Sequence, residues 1–170
     1  MPISKLMPKK FSVSLKLIML FGLGLLLSAC SHHQARIANA PAAKTSPTTD
    51  KVIRIAKSML GSPYRYGGKT PETGFDCSGL VYFVFQQAGL NPPPRTSYGQ
   101  YKASKPIAKS ALKRGDLVFF RIRRNKISHV GIYLGNQRFV HAPSSGKRVS
   151  IASLNSPYWH KRFIRGGRFY

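Results

Sequence analysis

Apolar residues recur at helical spacing in two segments near the middle of the chain. Spacings of three and four predict an amphipathic helix over 51–60, with Thr49 or Asp50 as its cap. A second helix is predicted over 77–88, and it is apolar nearly all round, which is typical of a buried helix. A short helix is expected near 97–103, after a run of three prolines.

From about residue 116 the apolar residues lie in short runs, which predicts strands. Gly135-Asn136 predicts a tight turn between two of them, and the basic segment 121–126 predicts a loop. Because the helices come first and the strands second, the pattern predicts an α+β domain with N-terminal helices packed on a small antiparallel sheet. The expected strands are 116–121, 129–134, 138–142, 148–151 and 163–165.

The first thirty residues have the pattern of an export signal. Residues 1–16 carry four lysines and no acid, and residues 17–27 form an unbroken apolar run of 11 residues. Such a run is too short for a membrane-spanning helix, which needs about 20 residues. The stretch ends Leu27-Ser28-Ala29-Cys30, which resembles the lipobox of bacterial lipoproteins. That resemblance implies cleavage before Cys30, lipid on its thiol and, because Ser31 follows, location at the outer membrane.

The chain therefore divides into three parts. Residues 1–29 are the predicted lipoprotein signal peptide, and 30–49 comprise the lipidated cysteine and a flexible tether rich in Ala, Ser, Thr and Pro. Residues 50–170 are the predicted folded domain, which is long enough for a single core. The chain has two cysteines, so lipidation of Cys30 would leave Cys77 as the only free thiol.

Charge and cysteine content limit the kinds of site that the chain can build. The 28 Lys and Arg against 4 Asp and Glu give a formal charge of +24. This charge predicts anionic surroundings but does not identify the anion. Four acids make paired-carboxylate catalysis and calcium sites poor candidates, and two cysteines exclude a disulfide scaffold. We expect no metal and no cofactor, and we interpret His32 and His33 as solvated tether.

The most informative residue is Cys77, at the predicted start of the second helix. Its sulfur would face unpaired backbone N–H groups and the positive end of the helix dipole, and both favour the nucleophilic thiolate. The alternative is a structural cysteine packed beneath the helix.

A cysteine nucleophile needs a base, and the base needs a group that orients it. The predicted domain holds three histidines. His129 opens one strand and His141 lies on the next, so we expect His129 to take the thiol proton and His141 to fix its tautomer. Each alone is also typical of a packed strand histidine. His160 is interpreted as structural or exposed.

An ordered set of motifs then resembles the NlpC-type family of bacterial cell-wall cysteine peptidases, which is related to papain in architecture. The resemblance covers essentially all of 50–170. Its pieces are Tyr64-Arg65-Tyr66-Gly67-Gly68, Phe75-Asp76-Cys77-Ser78-Gly79-Leu80, Pro94-Arg95-Thr96-Ser97, Arg114-Gly115-Asp116-Leu117-Val118-Phe119-Phe120, His129-Val130-Gly131-Ile132-Tyr133, Phe139-Val140-His141-Ala142 and Tyr158-Trp159.

This resemblance implies a papain-like fold and assigns roles to the site residues. It implies Cys77 as nucleophile, His129 as base and His141 as the third polar residue. It further implies that Tyr64 lines the site and that Asp76 and Ser78 flank the substrate, without a metal. For Asp76, capping of the helix is an equally good interpretation.

The substrate implied by the resemblance is the diaminopimelate-containing stem peptide of peptidoglycan. The bond could join D-Ala or γ-D-Glu to diaminopimelate, and the sequence does not choose. Three alternatives stay open. One is a non-catalytic lipoprotein that binds peptidoglycan or anionic lipid, and another is acyl transfer to an amine. The third is nucleic-acid binding, suggested by charge alone. The export signal argues against it, so no nucleic-acid partner is expected.

Overall fold

The structure, a computed structural model, describes residues 46–122 and 126–170. The predicted signal peptide, Cys30 and the tether as far as residue 45 lie outside the described residues, as do 123–125 in the basic loop. Within the described part of the chain, no helix has the length and apolar character needed to cross a membrane.

The first helix, α1, spans Pro47–Ser58, so the predicted bounds of 51–60 are wrong at both ends. Ser46 rather than Thr49 or Asp50 is the N-cap, and its hydroxyl accepts a hydrogen bond from the Thr49 backbone N–H at 3.2 Å. Pro47 suits the first helical position because its φ is already fixed and it has no N–H to leave unpaired. The helix therefore begins inside the segment assigned to the tether.

The second helix, α2, spans Cys77–Gln87, and Asp76 caps it by accepting from the Gly79 backbone N–H at 2.7 Å. The helix was expected over 77–88, and its burial is confirmed. A short two-stranded ribbon that the sequence did not predict precedes it, with β1 at Lys69–Thr70 and β2 at Gly74–Phe75. The third helix, α3, spans Ser97–Ala103 as predicted.

Six strands form one antiparallel sheet in the spatial order β3–β8–β4–β5–β6–β7. The sheet confirms the predicted α+β class. A short 3₁₀ helix over Lys109–Ala111 and a helix α4 over Pro157–Arg162 accompany it. The strands are β3 (Lys105–Ile107), β4 (Leu117–Phe120), β5 (His129–Gly135), β6 (Arg138–His141), β7 (Ser150–Ser153) and β8 (Phe163–Arg168).

Several elements differ from the sequence prediction: β4, β5 and β6 differ by one residue at one or both ends, and β8 continues to Arg168 instead of ending at 165. Strand β3 and helix α4 were not predicted, and β7 begins at Ser150 instead of 148. Arg148 instead forms an isolated bridge with Pro63. A tight turn joins β5 and β6 as predicted, but its two residues are Asn136 and Gln137, one position later than Gly135-Asn136, and both have the positive φ that a two-residue hairpin turn requires.

Both faces of the sheet are covered, which explains the continuous apolar run in β4. Leu117 and Phe119 join the core formed with α1 and α2, whereas Val118 and Phe120 point into a second cluster on the opposite face. Successive strand residues alternate between faces, so a strand buried on both sides reads as an unbroken apolar run. The second cluster also contains Tyr133, Phe139 and Leu154, with Leu112, Ile122, Ala152, Trp159 and Phe163 packed against it.

Candidate active site

The start of α2 and the neighbouring ends of β5 and β6 meet at one open cleft of about 1220 Å³. Cys77, His129 and His141 all line this cleft. The structure therefore brings together the three residues that the sequence singled out, although they come from a helix and two strands. Tyr64, Asp76 and Ser78, the predicted substrate-flanking residues, line the same cleft.

Cys77 is the first residue of α2, as predicted, but its ionisation differs from the expectation. Burial raises the pKa of the thiol from 9.0 to about 11, and the Asp76 carboxylate adds to the increase. The backbone N–H groups of Val130, Ser78 and Cys77 itself lower the pKa without offsetting those effects. The N–H groups at the helix start thus favour the thiolate as predicted, but desolvation of the sulfur outweighs them, so the net pKa is raised and the thiol is the resting form.

His129 and His141 form a buried pair, with Nε2 of His129 2.9 Å from Nδ1 of His141. Burial lowers the pKa of His129 well below 6.5, and the adjacent His141 lowers it further. Burial also lowers the pKa of His141 to about 4, with a contribution from the positive charge of Lys147. Both imidazoles are therefore neutral near pH 7.

A hydrogen bond between two neutral imidazoles constrains their tautomers. One nitrogen must donate its proton and the other must accept. If His129 donates from Nε2, its Nδ1 is left with a free lone pair, and that nitrogen is the one able to accept a proton from Cys77. His141 then accepts at Nδ1 and carries its own proton on Nε2. This arrangement leaves His129 suited to act as a base.

Trp159 holds the histidine pair from the side of α4. Its ring stacks on His129 at 5.3 Å between centroids with an interplanar angle of 27°. It also meets His141 edge-on, at 4.8 Å and 84°. The family resemblance includes Tyr158-Trp159 among its motifs but gives this pair no role. Packing on two rings at once limits their rotation, so Trp159 supports the geometry of the pair.

Asp76 is held by a network that the sequence did not reveal. Arg95 Nη1 donates to Asp76 Oδ1 at 2.9 Å, and Arg95 Nη2 donates to Oδ2 at 3.0 Å. The backbone N–H groups of Gly67 and Gly79 also donate to this carboxylate, as does the Ser78 hydroxyl. Of the two interpretations of Asp76, the helix cap is confirmed. The carboxylate is 13% exposed and fully occupied by protein donors.

Arg95 is equally occupied. Besides Asp76, Nη1 donates to the Ser78 hydroxyl at 3.1 Å and Nη2 donates to the Gly68 carbonyl at 3.0 Å. All four terminal N–H groups of the guanidinium are thereby used. Arg95 consequently joins the loop at Gly68, the start of α2 and the segment before α3.

Two further contacts fix the helix start against its surroundings. A Cβ added to Gly79 would lie 2.0 Å from the Gly68 carbonyl oxygen, so only glycine allows these two segments to touch. The buried Gln100 on α3 donates from Nε2 to the carbonyl oxygens of Ser78 and Pro94, at 3.0 and 2.9 Å. The sequence gave no sign of the role of Gln100.

The remaining candidates lie elsewhere. His160 is exposed on α4, with Nδ1 3.3 Å from Lys109 Nζ, and it does not line the cleft. Residues 46–122 and 126–170 contain no cluster of three or more His, Cys, Asp or Glu side chains that could hold a metal ion. His32, His33 and Cys30 lie outside the described residues.

The segment that builds the cleft also matches a known family. Residues 61–168 match the NlpC/P60 family model. The chain belongs to the NlpC/P60 family. Solved structures of this family resemble the fold. One, from Staphylococcus aureus and described as similar to a lipoprotein of the NLP/P60 family, has a TM-score of 0.66 and 35% sequence identity. The match covers 76% of this chain and 44% of that one.

Two relatives from Escherichia coli strain K12 show what other NlpC/P60 proteins do. The murein DD-endopeptidase MepH is 40% identical over 135 residues, which cover 78% of this chain and 50% of MepH. The protein named murein DD-endopeptidase MepS/murein LD-carboxypeptidase is 36% identical over 165 residues, covering 84% of this chain and 86% of MepS. The chain thus spans half the length of MepH and most of the length of MepS.

Proposed function

We propose that this chain is a peptidoglycan endopeptidase that hydrolyses an amide bond in diaminopimelate-containing stem peptides. Cys77 would be the nucleophile, His129 the base and His141 the residue that orients the base. The observation that carries the proposal is one cleft lined by Cys77 and by a hydrogen-bonded pair of neutral histidines. Similarity to MepH and MepS, both named murein endopeptidases, supports the substrate class.

The first step follows from the ionisation of the site. The thiol pKa is raised and that of His129 is lowered, so the resting groups are both neutral. As the Cys77 sulfur forms a bond to the carbonyl carbon, its proton passes to Nδ1 of His129 and the carbonyl π electrons move to the oxygen. The step creates an imidazolium and an oxyanion together, so the site keeps its net charge.

Each of the two new charges needs a stabilising partner. In the proposed tautomer His129 donates from Nε2 to His141 Nδ1 across the 2.9 Å contact, and this bond strengthens when His129 becomes positive because the donor is then charged. For the oxyanion, the backbone N–H of Cys77 at the start of α2 is our candidate donor. In this mechanism Tyr64 lines the site beside the substrate, and Asp76 and Ser78 keep the helix start in place.

The remaining steps restore the enzyme. The oxyanion collapses, the C–N bond breaks and Nδ1 of the His129 imidazolium gives its proton to the leaving amine. A water then attacks the Cys77 thioester while His129 accepts one of its protons. When the C–S bond breaks, the sulfur takes that proton back, and the free carboxylic acid leaves.

The test uses the protein purified from cells that express the 170-residue chain. Wild type and Cys77→Ala are incubated with purified diaminopimelate-type muropeptides, and products are weighed by mass spectrometry. We expect fragments from the wild type alone, and their masses name the bond. His160→Ala is the matched histidine control and should retain cleavage, whereas His129→Ala should lose it.

Other outcomes would contradict the proposal. Intact muropeptides in all samples across a range of salt and pH, with binding retained by Cys77→Ala, would indicate a non-catalytic wall-binding protein. Products heavier than hydrolysis allows, by the mass of an added amine, would indicate acyl transfer through the same thioester. Cleavage by Cys77→Ala equal to wild type would exclude the thiol mechanism altogether.

We also propose that Cys30 carries lipid and anchors the protein at the outer membrane, facing the periplasm. The support is the basic start, the apolar run of 17–27 and the lipobox-like ending. Cells grown with labelled palmitate should yield labelled protein from the natural sequence and none from Cys30→Ala. Membrane fractionation should place the labelled protein with outer-membrane markers. Unlabelled, soluble natural protein would contradict the anchor.

A further inference from the structure

We propose that Lys147 is a specificity-determining residue that binds a free carboxylate of the stem peptide at the wall of the cleft. The inference deepens the proposed function and rests on it. It begins from the loop between β6 and β7, which leads from His141 back toward Tyr64. Lys147 is exposed on this loop and lines the cleft together with Cys77.

The backbone of Lys147 is held on both sides. Its N–H donates to the Ser144 carbonyl at 3.1 Å, closing a turn, and its carbonyl accepts from the Tyr64 N–H at 2.9 Å. The next residue, Arg148, bridges to Pro63 and donates from Nη1 to the Gly61 carbonyl at 2.8 Å. The side chain therefore extends from a fixed point on the cleft wall, so a carboxylate can be met at a defined place.

The charge of Lys147 is available for a ligand. Lys147 takes part in none of the ion pairs among the described residues, which join Asp50, Asp76 and Asp116 to arginines. Arg95, the other cation lining the cleft, has its terminal N–H groups occupied by Asp76, Ser78 and Gly68, as shown above. Lys147 is close enough to His141 to lower the pKa of that histidine. Its charge thus reaches the catalytic end of the cleft and lacks a counter-ion there.

Stem peptides offer the matching group. D-Glu that is linked through its γ-carboxyl keeps its α-carboxylate free. Diaminopimelate has two amino-acid centres, and the centre that lies outside the main chain of the stem peptide keeps its carboxylate free. Both are carboxylates that amidation converts to neutral amides, and a lysine discriminates between the two forms because only the anion gains a charge-assisted hydrogen bond. We therefore expect the cleft to prefer the unamidated peptide.

The experiment compares three substrates: a muropeptide with both carboxylates free, one amidated at D-Glu and one amidated at diaminopimelate. We expect Lys147→Gln to lower kcat/KM about tenfold on the preferred free peptide, mainly through KM. On the peptide amidated at the recognised position, the same change should have an effect of less than about twofold. Whichever amidation abolishes the effect identifies the carboxylate, and Lys147→Arg should restore much of the loss.

Lys57→Gln is the matched control, because it removes one exposed charge from α1, outside the cleft. This variant should retain the wild-type preference for the unamidated peptide over the amidated one. If Lys147→Gln also retains it, the inference is overturned while the proposed function stands. Binding of the same peptides to Cys77→Ala, with and without Lys147→Gln, tests carboxylate recognition by Lys147 separately from the endopeptidase activity. A wild type that cleaves nothing overturns the endopeptidase, whereas binding that stays selective through Lys147 still supports carboxylate recognition.

Discussion

The ionisation of Cys77 gives the sharpest test of how this site works. With burial and Asp76 raising its pKa to about 11, roughly one thiol in ten thousand is ionised at pH 7. A preformed thiolate–imidazolium pair would instead ionise almost every thiol at that pH. The two resting states therefore differ by several orders of magnitude in thiolate content, which is far larger than any error of measurement.

The perturbation is pH, applied from 5 to 11 to the protein without substrate. Absorbance near 240 nm reports thiolate, and the difference between wild type and Cys77→Ala isolates this one sulfur because Cys30 is common to both. We expect no thiolate step below pH 9. The rate of alkylation by iodoacetamide should rise with pH over the same upper range, because the thiolate is the reacting form.

The variant His129→Ala tests whether a charged histidine stabilises a thiolate in the resting site. In a neutral resting site the histidine does not hold an imidazolium beside the sulfur, so its loss should leave the thiolate signal at pH 7 unchanged while cleavage disappears. A thiolate signal present in wild type at pH 7 and absent from His129→Ala would refute this account. It would show that the pair is ionised at rest and that burial of the sulfur does not govern its pKa.

Three further predictions follow from the packing and charges around the site. Gly79→Ala should fail to reach the native fold, since its Cβ would lie 2.0 Å from the Gly68 carbonyl oxygen, and thermal unfolding should show a lost or much lowered transition. Arg95→Gln should cost about 3 kcal/mol in urea unfolding, because it leaves a nearly buried carboxylate without its counter-ion; an unchanged midpoint would contradict this. The free energy of unfolding should fall as pH drops from 6.5 toward 4, because the unfolded chain protonates His129 and His141 in that window and the folded chain resists it. Urea titrations at several pH values test the sign, and a stability that rises on acidification would contradict it.

Local pattern was sufficient for much of the fold. The apolar run of α2, the strands β4 to β6 and the hairpin turn could be predicted because each has its own periodicity or turn residues in consecutive positions. The start of α1 was missed because Ser46 and Pro47 stand in a stretch whose composition resembles a tether. Strand β3 has three residues, too few for a period to show, and depends on pairing with the distant β8.

The site was predictable to the extent that rare residues mark it. A lone thiol at a helix start and two histidines on neighbouring strands could be found in the sequence. Arg95 could not be assigned, since its partner Asp76 lies 19 residues away in the chain and solvated arginines look the same in sequence. Gln100 and Trp159 act through contacts that only the fold creates. The direction of the Cys77 pKa shift depends on how deeply the sulfur is buried, and sequence does not give that depth.

The two sides of the cleft are held by separate means, and on each side the catalytic groups carry no charge at rest. On the helix side, Arg95 and Asp76 cancel each other's charge while tying the start of α2 to the Gly68 loop. On the sheet side, burial keeps the histidine pair uncharged, and the nearby positive charge of Lys147 acts in the same direction because it disfavours protonation of His141. The basic side chains around the cleft can attract an anionic wall polymer. At physiological ionic strength this attraction acts over about 8 Å, so the charges nearest the cleft contribute most. Proton transfer between Cys77 and His129 meanwhile proceeds between groups that carry no charge of their own.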